Sequence, residues 1–411
     1  MLKMLDRFLQ DSNEFEMYIT GYAGYGKTTS LIEVVKYFKS NDINFNLVAF
    51  THKAKDNLIA KVKEEATTLA SYLKVRPFIN SKAENLLVLN LSTQVNEVIP
   101  QPVLVVDEFS MISERDYFRI GELTEEHNLK VIFVGDIAQL PPIGGNDAVI
   151  KPYGSYIYNL KVFYRSDKLA NTILKVTSQL PNLDTMQIQI PKDDNIVVMD
   201  SFIAKFLELG AENCKILSYT NQRVEGYNTI LHSKLLGKEI IVGSDAKASI
   251  LLGQVEEYPT KVNEIEGNYT MVTTSKGLID VNSKYNPLKQ LKQLGIKLYR
   301  VRRKGEVIII PAILGSYNYK KMKDTLSNSL ILCNKLKKDS KVAYKRLITF
   351  DLVYSIDYNY ASTVHKMQGM EKPNIFIDVK SFKSLKDVKM YNKLLYVALT
   401  RATKKIFVNS L

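Results

Sequence analysis

Gly21-Tyr-Ala-Gly24-Tyr-Gly26-Lys27-Thr28 is the stretch that decides the fold. It fits the pattern G-x-x-x-x-G-K-[ST], and its flanks suit the chemistry of that pattern. Met17-Tyr-Ile19 before it reads as a buried strand, and Leu31, Val34, Val35 and Phe38 after it recur at helical spacing. Glycines let backbone N–H groups close around phosphate oxygens. Lys27 reaches toward β- and γ-phosphates, and the Thr28 hydroxyl can hold Mg²⁺. The N-terminus of the next helix adds partial positive charge. A glycine-rich turn before a helix is the plainer alternative. Alone, the loop points to a nucleotide and not to a function.

Outward from the loop, apolar runs rich in β-branched residues alternate with helical patterns. Strands are expected at 46–50, 103–106, 131–134, 215–219, 375–379 and 406–408. This alternation predicts an α/β fold with parallel sheets. Two stretches depart from it. Residues 75–102, with Pro77, Pro100 and Pro102, suggest an inserted hairpin. Residues 243–349 are rich in strand and turn signals and suggest an inserted β-rich domain.

A chain of 411 residues has room for two or more domains. With 45% apolar and 24% charged residues it has globular composition, and no apolar run is long enough to span a bilayer. Residues 1–15 alternate charged and apolar side chains, unlike a secretory signal. Cys214 and Cys333 lack metal-site spacing and read as reduced thiols of a cytosolic protein, and the lack of a targeting signal leads us to expect a bacterial or phage-infected cytoplasm. The net charge of +13 is concentrated. Residues 281–350 carry seventeen Lys or Arg against Glu306, Asp324 and Asp339, a net +14 that exceeds the charge of the whole chain. Such a block suggests a surface facing a polyanion, with a solvated basic face as the alternative.

Three further stretches carry chemistry. Val103-Leu-Val-Val-Asp107-Glu108 is an apolar strand ending in two carboxylates. In a nucleotide site Asp107 would hold Mg²⁺ and Glu108 would act as general base toward water. Gly135-Asp136-Ile-Ala-Gln139-Leu-Pro141-Pro142 ends another strand, with Gln139 placed to sense a γ-phosphate. Ser362-Thr363-Val-His365-Lys366-Met-Gln368-Gly369 gathers groups suited to phosphate-backbone contact. Arg165, after Phe163-Tyr164, and Arg401, after an apolar helical run, are the guanidinium groups suited to transition-state charge.

Taken in order, these stretches resemble the motif series of superfamily 1B DNA helicases, in the RecD–Dda branch. Residues 21–29 resemble motif I. Ala49-Phe-Thr51-His52-Lys53-Ala54 resembles motif Ia, and Ala66-Thr-Thr68-Leu motif Ib. Asp107-Glu108-Phe-Ser110 resembles motif II, residues 135–142 motif III, and Tyr164-Arg165-Ser166 motif IV. Ser218-Tyr-Thr220-Asn221 resembles the next block, residues 362–369 motif V, and Tyr396-Val-Ala-Leu-Thr-Arg401 motif VI. The resemblance implies two RecA-like cores. The first spans 1–166, with a separating-pin hairpin at 75–102. The second spans 167–242 and 350–411, with an SH3-like insertion at 243–349.

It also implies site residues. Gly21, Gly24, Tyr25, Gly26, Lys27, Thr28, Thr29 and Gly369 would hold ATP, and Thr28 and Asp107 would hold Mg²⁺. Lys27, Asp107, Glu108, Gln139, Arg165, Gln368 and Arg401 would carry catalysis. Thr51, His52, Thr68, Asn221, Thr363, His365 and Lys366 would contact DNA. Phe78 and Leu86-Leu87-Val88-Leu89 would build the pin. The implied activity is ATP-driven 5′-to-3′ movement on single-stranded DNA and opening of forked duplex, in replication, recombination or repair. A replication or single-strand-binding protein is the expected partner, and no membrane is expected. A translocase that remodels protein–DNA complexes, an RNA-directed helicase and a nucleotide switch are the alternatives. Two family features have no counterpart. No adenine-reading glutamine lies at the usual distance before Gly21, since Gln10 is too close, and Ala70 stands where motif Ib often has histidine. Loose base selectivity is therefore expected.

Overall fold

The computed structural model of the protein describes residues 1–73, 75–79, 85–89, 102–142, 149–182, 184–235, 242–244, 255–257, 271–274, 277–280, 287–303, 306–314, 316–336, 338–358 and 360–409. The chain forms two units, one of Met1–Arg76, Leu89–Tyr219 and Thr363–Leu411, the other of Pro77–Val88 and Thr220–Ser362.

The first unit opens with α1 (Leu2–Gln10), β1 (Glu16–Thr20), α2 (Lys27–Ser40), β2 (Phe45–Ala49), α3 (His52–Val62), β3 (Thr67–Thr68) and the single turn α4 (Leu69–Tyr72). A two-stranded hairpin, β4 (Val75–Ile79) and β5 (Asn85–Leu89), follows where an insertion was expected, and most of it belongs to the second unit. The side chains proposed for the pin, Phe78 and Leu86 to Leu89, lie outside the described residues. Then come β6 (Val103–Asp107), α5 (Glu114–His127), β7 (Lys130–Gly135) and β8 (Ile157–Asn159). The sheet order is β3-β2-β6-β7-β1-β8, and all five neighbouring pairs are parallel. Successive side chains point to opposite faces of a strand. Met17 and Ile19, Val103 and Val105, and Ile132 and Val134 accordingly pack with α1 and α2 on one face. Tyr18, Leu104, Val106, Val131 and Phe133 pack with α5 on the other. Burial on both faces explains why these strands read as continuous apolar runs.

After α6 (Ala170–Thr177), β9 (Ile196–Val198), α7 (Ile203–Leu209) and β10 (Cys214–Ser218), the chain enters the second unit. That unit holds α8 (Asn221–Lys234), β11 (Val242–Ser244), β12 (Val255–Glu257), β13 (Met271–Thr274), β14 (Gly277–Asp280), α9 (Leu288–Gln293), β15 (Lys297–Arg303), β16 (Glu306–Leu314), α10 (Ser316–Lys335), α11 (Lys341–Phe350) and β17 (Tyr354–Tyr358). Its main sheet is mixed, β11-β17-β16-β15-β12, with β13-β14 as a separate hairpin. The strand-and-turn reading of 243–349 missed α10 and α11. Their apolar residues are sparse, because only one side is covered: Leu326, Leu330, Leu347 and Phe350 pack inward. Lys320, Lys321, Lys335, Lys338, Lys341, Lys345 and Arg346 are exposed on or beside the same helices. Much of the described basic excess thus sits on helix surface.

The chain returns through β18 (Ala361–Thr363), β19 (Lys372–Ile377), α12 (Val388–Thr400) and β20 (Ala402–Val408). These complete a sheet of order β18-β10-β19-β20-β9, in which β10, β19, β20 and β9 pair in parallel. Helix α12 is capped by the Asp387 carboxylate, which accepts from Lys389 N at 2.9 Å. It is buried all round from Asn392 to Thr400, which fits the apolar run from Leu394 to Leu399. Within the first unit, Ala23, Ala138 and Leu140 from the first sheet share one apolar cluster with Met367, Tyr396 and Leu399. Among the described residues no helix is long and apolar enough to cross a membrane.

Candidate functional site

In a parallel sheet all strand C-termini open at one edge. Thr20 registers with Gly135, and Asp107 with Val134. The glycine-rich loop, the Asp107–Glu108 pair and Asp136 therefore stand side by side along that edge.

Gly24 and Gly26 take φ values of +86° and +82°, a region that side chains with a Cβ rarely adopt. A Cβ on Gly24 would lie 2.6 Å from the Phe163 ring, and one on Gly26 would lie 2.9 Å from that of Tyr164. Tyr164 N also donates to Gly24 O at 2.8 Å, and Tyr25 meets Phe163 edge-on at 5.5 Å between centroids. The aromatic pair before Arg165 is thus a clamp on the loop, a role the sequence reading did not give it. Helix α2 begins at Lys27 with no side-chain cap, so its first N–H groups face the loop. Lys27 Nζ donates to Gly21 O at 2.8 Å and Tyr22 O at 3.2 Å and lies 3.8 Å from Asp136 Oδ2. Thr28 and Thr29 occupy the first turn of α2.

Glu108 sits at φ 58°, ψ 47°, an unusual conformation for a residue with a side chain and one that clusters at functional sites. Its N–H donates to Asp107 Oδ1 at 3.0 Å, while its own Oε2 is buried without a partner. Burial first, and the neighbouring Glu108 charge second, push the Asp107 carboxyl up to about 7. Two carboxylates so placed suit a divalent cation, and the hydroxyl of Thr28 belongs to the same edge. Among the described residues there is no group of three or more His, Cys, Asp or Glu placed to hold a metal.

Gln139 and Gln368 are both buried, and each has an orphaned Oε1. Gln368 Nε2 donates to Leu140 O at 3.4 Å, so the loop after β18 is joined to the end of the first sheet. Asn57 of α3 donates to Gly369 O at 2.9 Å, a second such link. Arg401 is 6% exposed. Among the described residues its guanidinium bonds only within its own helix, to Val397 O at 3.1 Å and to Thr400 Oγ1 at 2.9 Å. Arg165 is placed differently. Its guanidinium donates to Asp167 Oδ2 at 2.7 Å, to Thr400 O at 3.2 Å and to Ala402 O, so it holds the C-terminal end of α12.

The residues expected on nucleic acid are only partly gathered. Thr51 Oγ1 accepts from Ala54 N, Thr68 Oγ1 from Ser71 N and Thr363 Oγ1 from Lys366 N, so all three hydroxyls serve local turns at strand ends. His365 is mostly covered, and burial holds its imidazole below the usual value. Lys366 is exposed. The side chain of His52 lies outside the described residues. Asn221 begins α8 in the other unit and is exposed.

Sequence reasoning gave no role to Asp136 or Tyr396. Asp136 is 1% exposed and Tyr396 is fully buried. Two polar groups inside apolar runs were the available signal.

The AAA domain family matches residues 2–189, and the UvrD-like helicase C-terminal domain family matches residues 358–408. An uncharacterised protein of Acanthamoeba polyphaga mimivirus is 22% identical, covering 98% of this chain and 97% of its own. The ATP-dependent DNA helicase dda of Enterobacteria phage T4 is 27% identical, covering 95% and 93%. The crystal structure of Pif1 helicase from Bacteroides in complex with ADP-AlF3 and ssDNA is similar over 100% of this chain and 91% of its own, at 16% identity and a TM-score of 0.46.

Proposed function

We propose that this chain, a superfamily 1B helicase of the Dda/Pif1 type, hydrolyses ATP to step 5′ to 3′ along single-stranded DNA and to open forked duplex. One observation carries the reading. The phosphate-type loop and a carboxylate pair share one sheet edge, to which the second parallel sheet brings a buried, unpaired glutamine oxygen through Gln368.

In this reading the α2 N-terminus, Gly24, Gly26 and Lys27 bind the phosphates. Thr28 and Asp107 hold Mg²⁺, which when bound offsets phosphate charge. Glu108 takes a proton from water, and its unpartnered Oε2 fits that task. Gln139 and Gln368, each with a free acceptor, orient that water or sense the γ-phosphate. Arg401 stabilises the charge that develops on transfer. Arg165 acts mainly by fixing the end of α12.

Single-stranded DNA runs over the strand-end turns at Thr51, Thr68 and Thr363, whose N–H groups and nearby Lys366 suit phosphates. Such contacts carry no sequence code, so binding is sequence-tolerant and weakens with salt. Asn221 and the basic face of α10 and α11 add a further polyanion-binding surface. The hairpin β4–β5 serves as the separating pin. Replication, recombination or repair is the setting, beside a single-strand-binding or replication protein.

The test is unwinding of duplexes carrying a 5′ or a 3′ single-stranded tail. Opening from the 5′ tail alone is expected. Opening from the 3′ tail reverses the direction, and opening of neither with ATP consumed favours a translocase.

A further inference from the structure

Tyr396 lies in α12, five residues before Arg401, and is fully buried. Its hydroxyl oxygen accepts from Ala23 N, inside the glycine-rich loop, at 2.6 Å. Its proton goes to Asp136 Oδ2, also at 2.6 Å. The other carboxylate oxygen of Asp136 accepts from Ala138 N at 2.9 Å, and Oδ2 faces Lys27 Nζ at 3.8 Å. One phenol oxygen therefore touches the loop backbone and the carboxylate that competes with phosphate for the loop lysine.

We infer that Tyr396 is a positioning residue for ATP binding: by donating to Asp136 it weakens the hold of that carboxylate on Lys27 and leaves the ammonium free to turn to phosphate. This rests on the reading of the loop as an ATP site. The physical reason is competition. Among the described residues Lys27 Nζ has three oxygen partners, two loop carbonyls and Asp136 Oδ2. A carboxylate that already accepts a strong hydrogen bond is a weaker partner for a nearby cation. Burial, and the charge of Asp136 beside it, keep the Tyr396 phenol protonated far above its ordinary range, so the donor persists at all working pH values. The same bond ties α12, and hence the segment holding Arg401, to the loop. When Lys27 turns to a triphosphate, the Asp136 carboxylate keeps, among the described residues, the Tyr396 hydroxyl and Ala138 N, so α12 is drawn to the loop in step with nucleotide binding.

The test is titration with a fluorescent ATP analogue, with the KM and kcat of ATP hydrolysis read beside it. Tyr396→Phe removes the donor and keeps the ring. It should raise Kd and KM for ATP about tenfold, the worth of one buried hydrogen bond. Asp136→Asn alone removes the competing charge and should move both constants the other way. Tyr396→Phe with Asp136→Asn should return them to within about threefold of wild type, because no carboxylate is left to restrain Lys27. Unchanged constants in Tyr396→Phe overturn the inference. So does a double variant weaker than either single one, which would mark the pair as merely structural. If Tyr396→Phe does not fold, the direction of the Asp136→Asn shift decides alone. A wild-type protein that binds no analogue overturns the ATP reading itself and this inference with it.

Discussion

The edge of the first sheet and the helix α12 of the second hold their polar groups in opposite ways. In the glycine-rich loop at that edge, backbone N–H and C=O groups are the main polar groups, beside Lys27. Gly24 and Gly26 occupy positive φ, and the α2 N-terminus is left without a side-chain cap. On α12 the backbone is an ordinary buried helix, and single side chains carry the polar atoms, among them Tyr396 and, at the C-cap, Arg401. The difference teaches where ground-state binding ends and turnover begins. A loop that can surround phosphates binds substrate and product alike, whereas a side chain brought in from a second element can act on one state more than another.

Predictions can break that division. The largest effect is expected from Arg401→Ala, which should lower the ATP hydrolysis rate on the order of 10³-fold. Its affinity for a fluorescent ATP analogue should stay within a few-fold, so a parallel loss of affinity would erase the contrast. Lys27→Ala should do the reverse and weaken nucleotide binding about ten- to hundredfold, the range of charge-assisted hydrogen bonds. Equilibrium titration reads this directly.

The carboxylate pair sharpens the contrast through pH. Folding raises the Asp107 carboxyl from 3.8 to about 7, so the folded protein binds that proton more tightly than the unfolded chain. Metal-free protein should therefore lose this contribution to stability as pH rises from about 4 through 7. Mg²⁺ competes with the same proton, so its affinity should fall about tenfold per unit below pH 7. Thermal melting across pH 5 to 8, with and without Mg²⁺, checks both signs, and Asp107→Asn should flatten them. The smallest effect belongs to the second unit. Lys320→Glu with Lys321→Glu should lower single-stranded DNA affinity and reduce the salt dependence by about one phosphate contact per lysine. An unchanged slope would mark this face as solvated only.

How much was legible follows the same division. The strands that became β1, β6 and β7 were readable because both faces are buried, which yields long apolar runs with polar ends. A carboxylate at the end of such a run stands out for the same reason, which is what draws a functional reading to Asp107 and Glu108. β3, β8 and β9, of two or three residues each, left no pattern to read. The helices α10 and α11 were missed because one covered side gives too few apolar residues in a lysine-rich stretch. Arg165 was picked out as a charge in the right place. Besides nearby Asp167, its partners are the carbonyls of Thr400 and Ala402, which lie more than two hundred residues along the chain, and no local pattern encodes them. The pairing of Tyr396 with Asp136 leaves no sign in either local stretch, because it depends on two sheets meeting.

The most direct measurement is the rate of ATP hydrolysis with and without single-stranded DNA. Strong stimulation by DNA is the result expected of a nucleotide site coupled to a nucleic-acid path through Gln368 and α12. A rate that is the same in both conditions would contradict that coupling.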